Sequence, residues 1–144
     1  MFGDFHFGLD TFTLHQQCTE HLPLYRQEQE WARLGIPLSR QTLANWVIYA
    51  AQTWLKPVYA VLKQTLVAQD IIQAAETTLT VIQEPGRAAT QKSSMGLYRS
   101  GREGPPIVLY DYQPGRHGAY ARQFLTGFQG YLPCDGYAGY REAE

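Results

Sequence analysis

The chain has few of the features that mark several large classes of protein. Cysteine occurs only twice in 144 residues, at Cys18 and Cys134, with no metal-ligand spacing, which excludes a zinc-type cysteine cluster. No apolar stretch approaches the roughly 20 residues that span a bilayer, and the N-terminal MFGDFHFGLD lacks the basic segment of a secretory signal. We therefore expect reduced thiols, no membrane association and a cytoplasmic location.

Charge of one sign is also scarce. The net charge is −1, which excludes an overall field that would draw the whole protein onto DNA or an anionic membrane. Aromatic residues are plentiful instead, at 13% with ten tyrosines. Such amphipathic rings suit half-exposed surfaces and contact grooves.

The two halves of the chain differ in their hydrophobic pattern. Residues 14–69 have mainly helical spacing, whereas residues 70–140 have short strand patterns with turns and one helix. The pattern predicts an α+β protein, with a helical segment over 1–69 that could contact DNA and a second segment over 70–144.

The helical half shows start and stop signals. Helical spacing over 22–35 ends at Gly35, which favours a helix end there. Ser39 is suited to cap a second helix through its hydroxyl, although the acid of a capping box is missing at Thr42. Pro57 is expected to kink this second helix or to open the next, which runs to about Ala68.

The second half predicts a small sheet. Strand patterns and one helix are separated by turns, and residues 88–95 have the composition of a mobile loop. The predicted strands are 70–75, 79–83, 96–100, 105–112 and 130–134, and the predicted helix is 119–128. This order predicts an antiparallel meander, a crossover helix and a last strand parallel to a neighbour. Such an order is the opening part of a ribonuclease H-like mixed sheet.

Residues 24–45 fit a helix-turn-helix. In that motif the second helix reads the major groove with residues near its N-terminus, so Arg40, Gln41, Ala44 and Asn45 would face DNA. Arginine suits guanine or phosphate, and glutamine and asparagine suit adenine. The alternative is a plain helical hairpin whose polar face meets water. Residues 1–69 carry five basic and five acidic side chains, which is no strong electrostatic signal.

Asp135 is a candidate metal ligand because it directly follows a predicted strand. Two-metal phosphoryl-transfer sites need several carboxylates on neighbouring elements. Glu76 lies in the strand-like QAAETT (73–78), but adjacent strand residues point to opposite faces, so Glu76 cannot share a face with Ala75. The alternative is that Asp135 caps the turn at Gly136.

The middle of the chain is locally basic. Residues 85–122 contain six basic and two acidic side chains, with tyrosines between them. Such a segment could follow a phosphate backbone, or it could form solvated loops and charged strand edges.

Four stretches closely resemble the insertion sequence 66 family of transposases. They are EHLPLYRQEQEWARLGIPLSRQTLANWV (20–47), QAAETT (73–78), IVLYDYQPGRHG (107–118) and FLTGFQGYLPCDGYAGY (124–140). The resemblance implies an acid-triad transposase with a ribonuclease H-like catalytic core. It also implies Mg²⁺ as cofactor and DNA as partner. The implied reaction is cleavage and joining of DNA strands at the ends of the mobile element.

The resemblance also assigns positions to the acid triad. The family's first aspartate corresponds to Ala75, its second to Asp135, and its third would follow Glu144. We therefore expect a fragment truncated at both ends and inactive, with Asp135 beside the methyl group of Ala75 in a half-emptied ion pocket. The alternatives are a non-catalytic DNA-binding module, a regulator that pairs with itself or with full-length transposase, and a remnant without a role.

Overall fold

The computed structural model describes residues 3–82, 84–88, 90–101, 104–135 and 140, with backbone alone for residues 3–7. The chain divides into two compact units, Met1–Val58 and Tyr59–Glu144. Among the described residues, no helix combines the length and the apolar character needed to cross a bilayer.

Helices form the first unit and continue into the second. Their bounds are α1 Gly3–Cys18, α2 Leu24–Arg33, α3 Arg40–Ala50, a π-helical turn Ala51–Leu55, and α4 Lys56–Val67. Most of α1 lies before residue 14, within the predicted helical segment 1–69 but without a helical hydrophobic pattern, because its apolar residues do not repeat on one helical face. The predicted helices at 22–35 and from Arg40 onward are confirmed.

The local signals between α2 and α3 act as expected. Gly35 has φ +79°, a conformation that glycine adopts without strain, and it follows the end of α2. The Ser39 hydroxyl accepts a hydrogen bond from the Thr42 backbone N–H at 3.1 Å and so caps α3. Of the predicted apolar stripe on α3, Leu43 and Ala50 are fully buried.

Polar side chains share the interior of the first unit with these apolar residues. Asp10, Thr13 and Gln27 are all buried. The Gln27 side-chain amide donates to the carbonyl of Leu22 at 3.0 Å and to that of Thr13 at 3.4 Å. Gln27 therefore links α2 to α1 and to the loop between them.

The π-helical turn precedes Pro57. A proline inside a helix has no N–H to donate and crowds the preceding turn, so a regular α-helical ladder cannot run through it. The helix changes to the wider π geometry over Ala51–Leu55 and returns to α-helical geometry at Lys56. The irregularity that the sequence analysis expected at Pro57 therefore takes the form of a π turn.

The second unit contains a three-stranded antiparallel sheet in the order β1-β2-β3. Its strands are β1 Ile72–Thr80, β2 Lys92–Ser100 and β3 Val108–Gln113. The two predicted runs at 70–75 and 79–83 were wrong as separate strands, because β1 is continuous.

The predicted loop over 88–95 was partly wrong, since β2 already begins at Lys92. Ser93 and Ser94 are buried there although serine has little preference for strands. Hydrogen bonds hold them in place: the Ser94 hydroxyl donates to the carbonyl of Gly115 at 2.7 Å, and the Ser93 hydroxyl donates to Glu84 at 3.3 Å. These long-range contacts override the local composition.

Helix α5, Gly118–Phe124, packs on one face of the sheet and ends before the predicted residue 128. Phe124 stacks on Tyr98 of β2, with ring centroids 3.8 Å apart and planes inclined by 6°. Around this stack lie the other buried residues of the core: Leu66, Ile72, Ala74, Leu109, Ala121, Leu125 and Tyr140.

After α5 the chain returns alongside β1 in the parallel direction. Two isolated bridges join Ile71 to Tyr131 and Ala74 to Cys134. The predicted last strand, 130–134, is therefore present as a parallel neighbour of β1 but not as a regular strand. Pro133 has no N–H and limits the ladder. The predicted α+β class is confirmed.

Candidate functional site beside the first strand

The return segment brings Asp135 next to β1. The Asp135 backbone N–H donates to the Ala74 carbonyl at 3.3 Å, and the Ala74 N–H donates to the Pro133 carbonyl at 2.9 Å. In a parallel pair, residues at matching positions share a face, so the Ala74–Cys134 bridge aligns Asp135 with Ala75. Both residues are exposed.

The Asp135 carboxylate is engaged with β1. Its Oδ2 accepts a hydrogen bond from the Glu76 backbone N–H at 3.1 Å. This contact fixes the side chain against the strand one residue beyond Ala75. The cap on the Gly136 turn that the sequence suggested lies outside the described residues.

The residues at this position do not fit a carboxylate-bridged pair of Mg²⁺ ions. Ala75 presents a methyl group and no ligand oxygen, and weakly held Mg²⁺ depends on carboxylates and on their charge. In the described part of the chain, no group of three or more histidine, cysteine, aspartate or glutamate side chains could hold a metal ion.

Glu76 points away from Ala75, as the alternation of a strand requires. Its side chain is only 5% exposed, and its Oε2 lies 2.8 Å from the Nε of Arg116. This ion pair joins β1 to the turn after β3. Sequence reasoning counted Arg116 only as part of a basic segment, because nothing local indicates a partner 40 residues away.

Glu76 belongs to a row of residues that crosses the sheet. Glu76 pairs with Gly96 of β2, and Gly96 pairs with Asp111 of β3, so all three lie on the face that α5 covers. The Asp111 Oδ2 accepts a hydrogen bond from the Gln113 side-chain amide at 2.8 Å. The Tyr98 ring lies over Gly96, since a Cβ at position 96 would come within 3.0 Å of it.

Tyrosines border this row. Burial raises the pKa of the Tyr98 hydroxyl, and the nearby Tyr140 and Asp111 raise it further. Burial also raises the pKa of Tyr140, with Asp135 and Glu76 adding to the effect. Both hydroxyls therefore keep their protons at neutral pH and can donate hydrogen bonds.

A second polar cluster lies between β2, β3 and the loop after β1. Glu84 accepts hydrogen bonds from Tyr112 at 2.7 Å, from Ser93 at 3.3 Å and from Arg87 at 2.7 Å. The Tyr112 hydrogen bond is the main cause that holds the pKa of Glu84 below its usual value. Arg87 and Arg116, two residues of the predicted basic segment, thus make internal ion pairs.

The predicted DNA-contacting residues lie in the first unit, at the start of α3. Arg40, Gln41 and Asn45 are all exposed. The Gln41 side-chain amide donates to the Asn45 side chain at 3.0 Å, which fits their spacing of one helical turn. Ala44, the fourth predicted residue, is half-buried.

Arg40 makes contacts within its own unit. Its Nε lies 3.6 Å from the Glu28 carboxylate, and its guanidinium carbon lies 5.5 Å from the centroid of the Tyr25 ring. Its side chain is nevertheless 61% exposed, and exposed ion pairs contribute little to stability. Arg40 can therefore exchange Glu28 for another anion at small cost.

Comparison with known proteins gives both a family and a set of longer relatives. The model of the transposase IS66 family matches residues 5–144. Two relatives from Sinorhizobium fredii are the uncharacterized protein y4jD, 36% identical over 126 residues, and the uncharacterized protein y4qI, 32% identical over 124 residues.

The chain spans about a quarter of these relatives. The match to y4jD covers 84% of this chain and 24% of y4jD, and the match to y4qI covers 83% and 23%. No solved structure matches the chain. The family match over almost the whole sequence means that this chain belongs to the transposase IS66 family.

Proposed function

We propose that this protein is a transposase-derived chain that does not cleave or join DNA by itself. The observation that supports this most strongly is the alignment of Asp135 with Ala75, where the metal site would need a second carboxylate.

We also propose that the sheet is the opening part of a ribonuclease H-like core. The meander, the following α5 and the parallel return beside β1 support that assignment.

The loss of one carboxylate has a direct physical consequence. A two-metal site stabilises the attacking and the leaving oxygen of a phosphodiester together, and each ion needs negatively charged ligands to remain bound. A methyl group at position 75 removes both the ligand oxygens and the charge. Asp135 alone, with one oxygen already accepting a hydrogen bond from Glu76, is expected to hold Mg²⁺ only weakly.

Restoring the carboxylate tests this proposal. Ala75→Asp should create a divalent-cation site with Asp135, because the two positions are aligned on neighbouring segments. We expect Mn²⁺ affinity to increase by about tenfold or more relative to the unmodified chain, as one added carboxylate ligand would give. Isothermal titration calorimetry with Mn²⁺ measures the change.

The matched control is the double variant Ala75→Asp with Asp135→Asn, which should lose the added affinity. Equal Mn²⁺ binding by the single and double variants would show that Asp135 is not part of the site. A strand-transfer assay on the unmodified chain with Mg²⁺ or Mn²⁺ should give no product, and robust turnover would contradict the proposed inactivity.

A second proposed function is DNA binding without catalysis. It is favoured by exposed Arg40, Gln41 and Asn45 at the N-terminal end of α3, directly after the tight turn that follows α2. In a helix-turn-helix these positions reach base edges and phosphates. Residues 1–69 would then contact DNA, and residues 70–144 would keep part of the catalytic core. A second copy or a full-length transposase is the proposed protein partner.

Arg40→Ala tests DNA binding. If Arg40 contacts a phosphate, the variant should lose about fivefold or more in affinity, and the slope of log K against log salt should fall by about one. Gel shifts at several salt concentrations measure both quantities. Arg33→Ala, at the end of α2, is the matched control and should bind like the unmodified chain. Unchanged affinity and slope in Arg40→Ala would contradict the proposal.

A further inference from the structure

One face of α3 remains exposed over two helical turns. Gln41, Asn45 and Ile48 lie on this face, and the fully buried Leu43 and Ala50 lie on the opposite face. Ile48 is 52% exposed, although it is apolar and its neighbours on this face are amides. Packing within the first unit therefore does not explain these three side chains.

The charges near this face suit a negatively charged partner. The five acidic residues of 1–69 all precede residue 31, and residues 31–58 contain three basic side chains and no acidic one. Glu28 approaches the start of α3 from α2, where it is paired with Arg40. The major groove of duplex DNA admits an α-helix, and its phosphates attract such a basic segment.

The spacing of the exposed positions matches a known way of reading bases. On the recognition helix of homeodomains, base contacts come from positions i, i+3, i+4 and i+7, and an asparagine at i+4 contacts adenine. Gln41, Ala44, Asn45 and Ile48 have the same spacing, with asparagine at i+4. Asn45 is therefore placed to contact adenine.

The two amides together present the complement of an adenine edge. The Gln41 Nε2 donates to the Asn45 Oδ1 at 3.0 Å. In the described part of the chain, the Gln41 Oε1 and the Asn45 Nδ2 have no other partner, so the pair offers one acceptor beside one donor. In the major groove adenine offers the N6–H donor beside the N7 acceptor, whereas guanine offers two acceptors.

Ile48 adds an apolar contact one helical turn beyond Asn45. Three residues correspond to a rise of about 4.5 Å along the helix axis, which is close to the distance of about 3.4 Å between neighbouring base pairs. Thymine presents a methyl group in the major groove. Contact with that methyl group would remove the exposed apolar surface of Ile48 from water.

We propose that this face of α3 reads A·T base pairs in the major groove, with Gln41 and Asn45 on adenine and Ile48 on a thymine methyl group. The inference rests on the proposed DNA binding by α3 and adds the base composition of the site. Arg40 holds the helix on the phosphate backbone and contributes affinity without base preference.

Competition binding with three duplexes tests the inference on the full chain. The labelled probe is an alternating A·T duplex. The unlabelled competitors are an alternating G·C duplex and the A·T duplex with deoxyuridine in place of thymidine, at equal length and salt concentration. The A·T duplex should bind about tenfold or more tightly than the G·C duplex. Deoxyuridine lacks only the methyl group and should weaken binding about fourfold, as measured by fluorescence anisotropy.

Two variants assign these preferences to side chains. Asn45→Ala should reduce the preference for A·T over G·C to about twofold or less. Ile48→Ala should bind the thymidine and deoxyuridine duplexes equally. Both side chains are exposed, so neither variant should disturb the fold. Ile82→Ala truncates an isoleucine that is 79% exposed in the second unit, and as the matched control it should keep both preferences.

The outcomes separate base reading from DNA binding itself. Equal binding of the A·T and G·C duplexes, by a chain whose affinity still falls in Arg40→Ala, would refute base reading and leave the proposed DNA binding intact. An A·T preference that persists in Asn45→Ala would also refute it, because the chain would then respond to duplex shape. Absence of binding to every duplex would refute both.

Discussion

At the scale of the residue, the proposed function depends mainly on the side chain of Ala75, which is a methyl group. Ala75 is aligned with Asp135, while the next residue, Glu76, is turned inward and paired with Arg116. The strand therefore presents no carboxylate beside Asp135, where the resemblance places the family's first aspartate. Glu76 cannot replace it, because rotation of a side chain does not move it through the sheet.

The Glu84 carboxylate provides a residue-scale prediction on pH. Its pKa is lowered from 4.5, chiefly by the hydrogen bond from Tyr112. A carboxyl with a lowered folded pKa stabilises the protein above its unfolded pKa, and this stabilisation is lost as pH falls through the folded pKa. Tyr112→Phe should raise the pKa of Glu84 toward 4.5 and reduce the loss of stability on acidification below 4.5.

Two measurements check this. NMR titration of the Glu84 side chain gives its pKa, and urea unfolding at neutral pH and at about pH 3 gives the change in stability. Tyr110→Phe is the matched control, since Tyr110 is an exposed tyrosine two residues away on the same strand. An unchanged Glu84 pKa in Tyr112→Phe would show that the hydroxyl does not stabilise the carboxylate.

At the scale of the element, two side chains accept hydrogen bonds from the first N–H groups of α3. Glu28 of α2 accepts from the Arg40 backbone N–H at 2.7 Å, and Ser39 supplies the local cap. The Ser39 hydroxyl accepts from the Thr42 N–H at 3.1 Å, and its oxygen also lies 2.9 Å from the Thr42 hydroxyl. Without a cap, the first N–H groups of a helix have no partner within the helix. The same cap positions the exposed residues that follow it, Arg40 and Gln41.

Ser39→Ala should lower the free energy of unfolding by about 1 kcal/mol, the usual effect of removing a serine cap. Urea unfolding followed by far-UV circular dichroism measures this change. Ser39→Asp keeps an acceptor at the same position and should remain within a few tenths of a kcal/mol of the unmodified chain. Equal stability of the alanine and aspartate variants would mean that the cap contributes nothing.

The helices and strands also show which sequence signals were sufficient to predict where an element begins or ends. Gly35, Ser39 and Pro57 act through their own backbone or nearest neighbours, so α2, α3 and the irregularity before Pro57 could be predicted. The start of β2 could not, because Ser93 and Ser94 are held by partners 9 and 21 residues away. Local composition contains no information about such partners.

At the scale of the whole molecule, one face of the sheet is only partly covered. Val108, Tyr110 and Tyr112 of β3 are exposed by 43%, 59% and 39%, and they lie on the same face as Ala75. Among the described residues, β3 pairs only with β2. An apolar strand with an unpaired edge favours association with a second copy.

Val108→Lys should therefore reduce self-association, because a charge on an edge strand opposes pairing with another chain. Size-exclusion chromatography over a range of protein concentrations measures the effect as a smaller increase in apparent mass. Ala68→Lys adds the same charge at an exposed position outside the sheet and should have little effect. Identical behaviour of the two variants would exclude β3 as the contact.

The sequence by itself determined the α+β class, the family, and the helix boundaries around Gly35 and Ser39. These follow from local backbone preferences and from motifs that are continuous in the chain. The assignment of Ala75 to the position of the family's first aspartate stays a prediction from the resemblance. Only the tertiary structure decided that Asp135 is aligned with Ala75, that Glu76 is buried against Arg116, and that Gly96 lies between Glu76 and Asp111 in the sheet. Those facts depend on strand register and on contacts between distant residues, which no local pattern specifies.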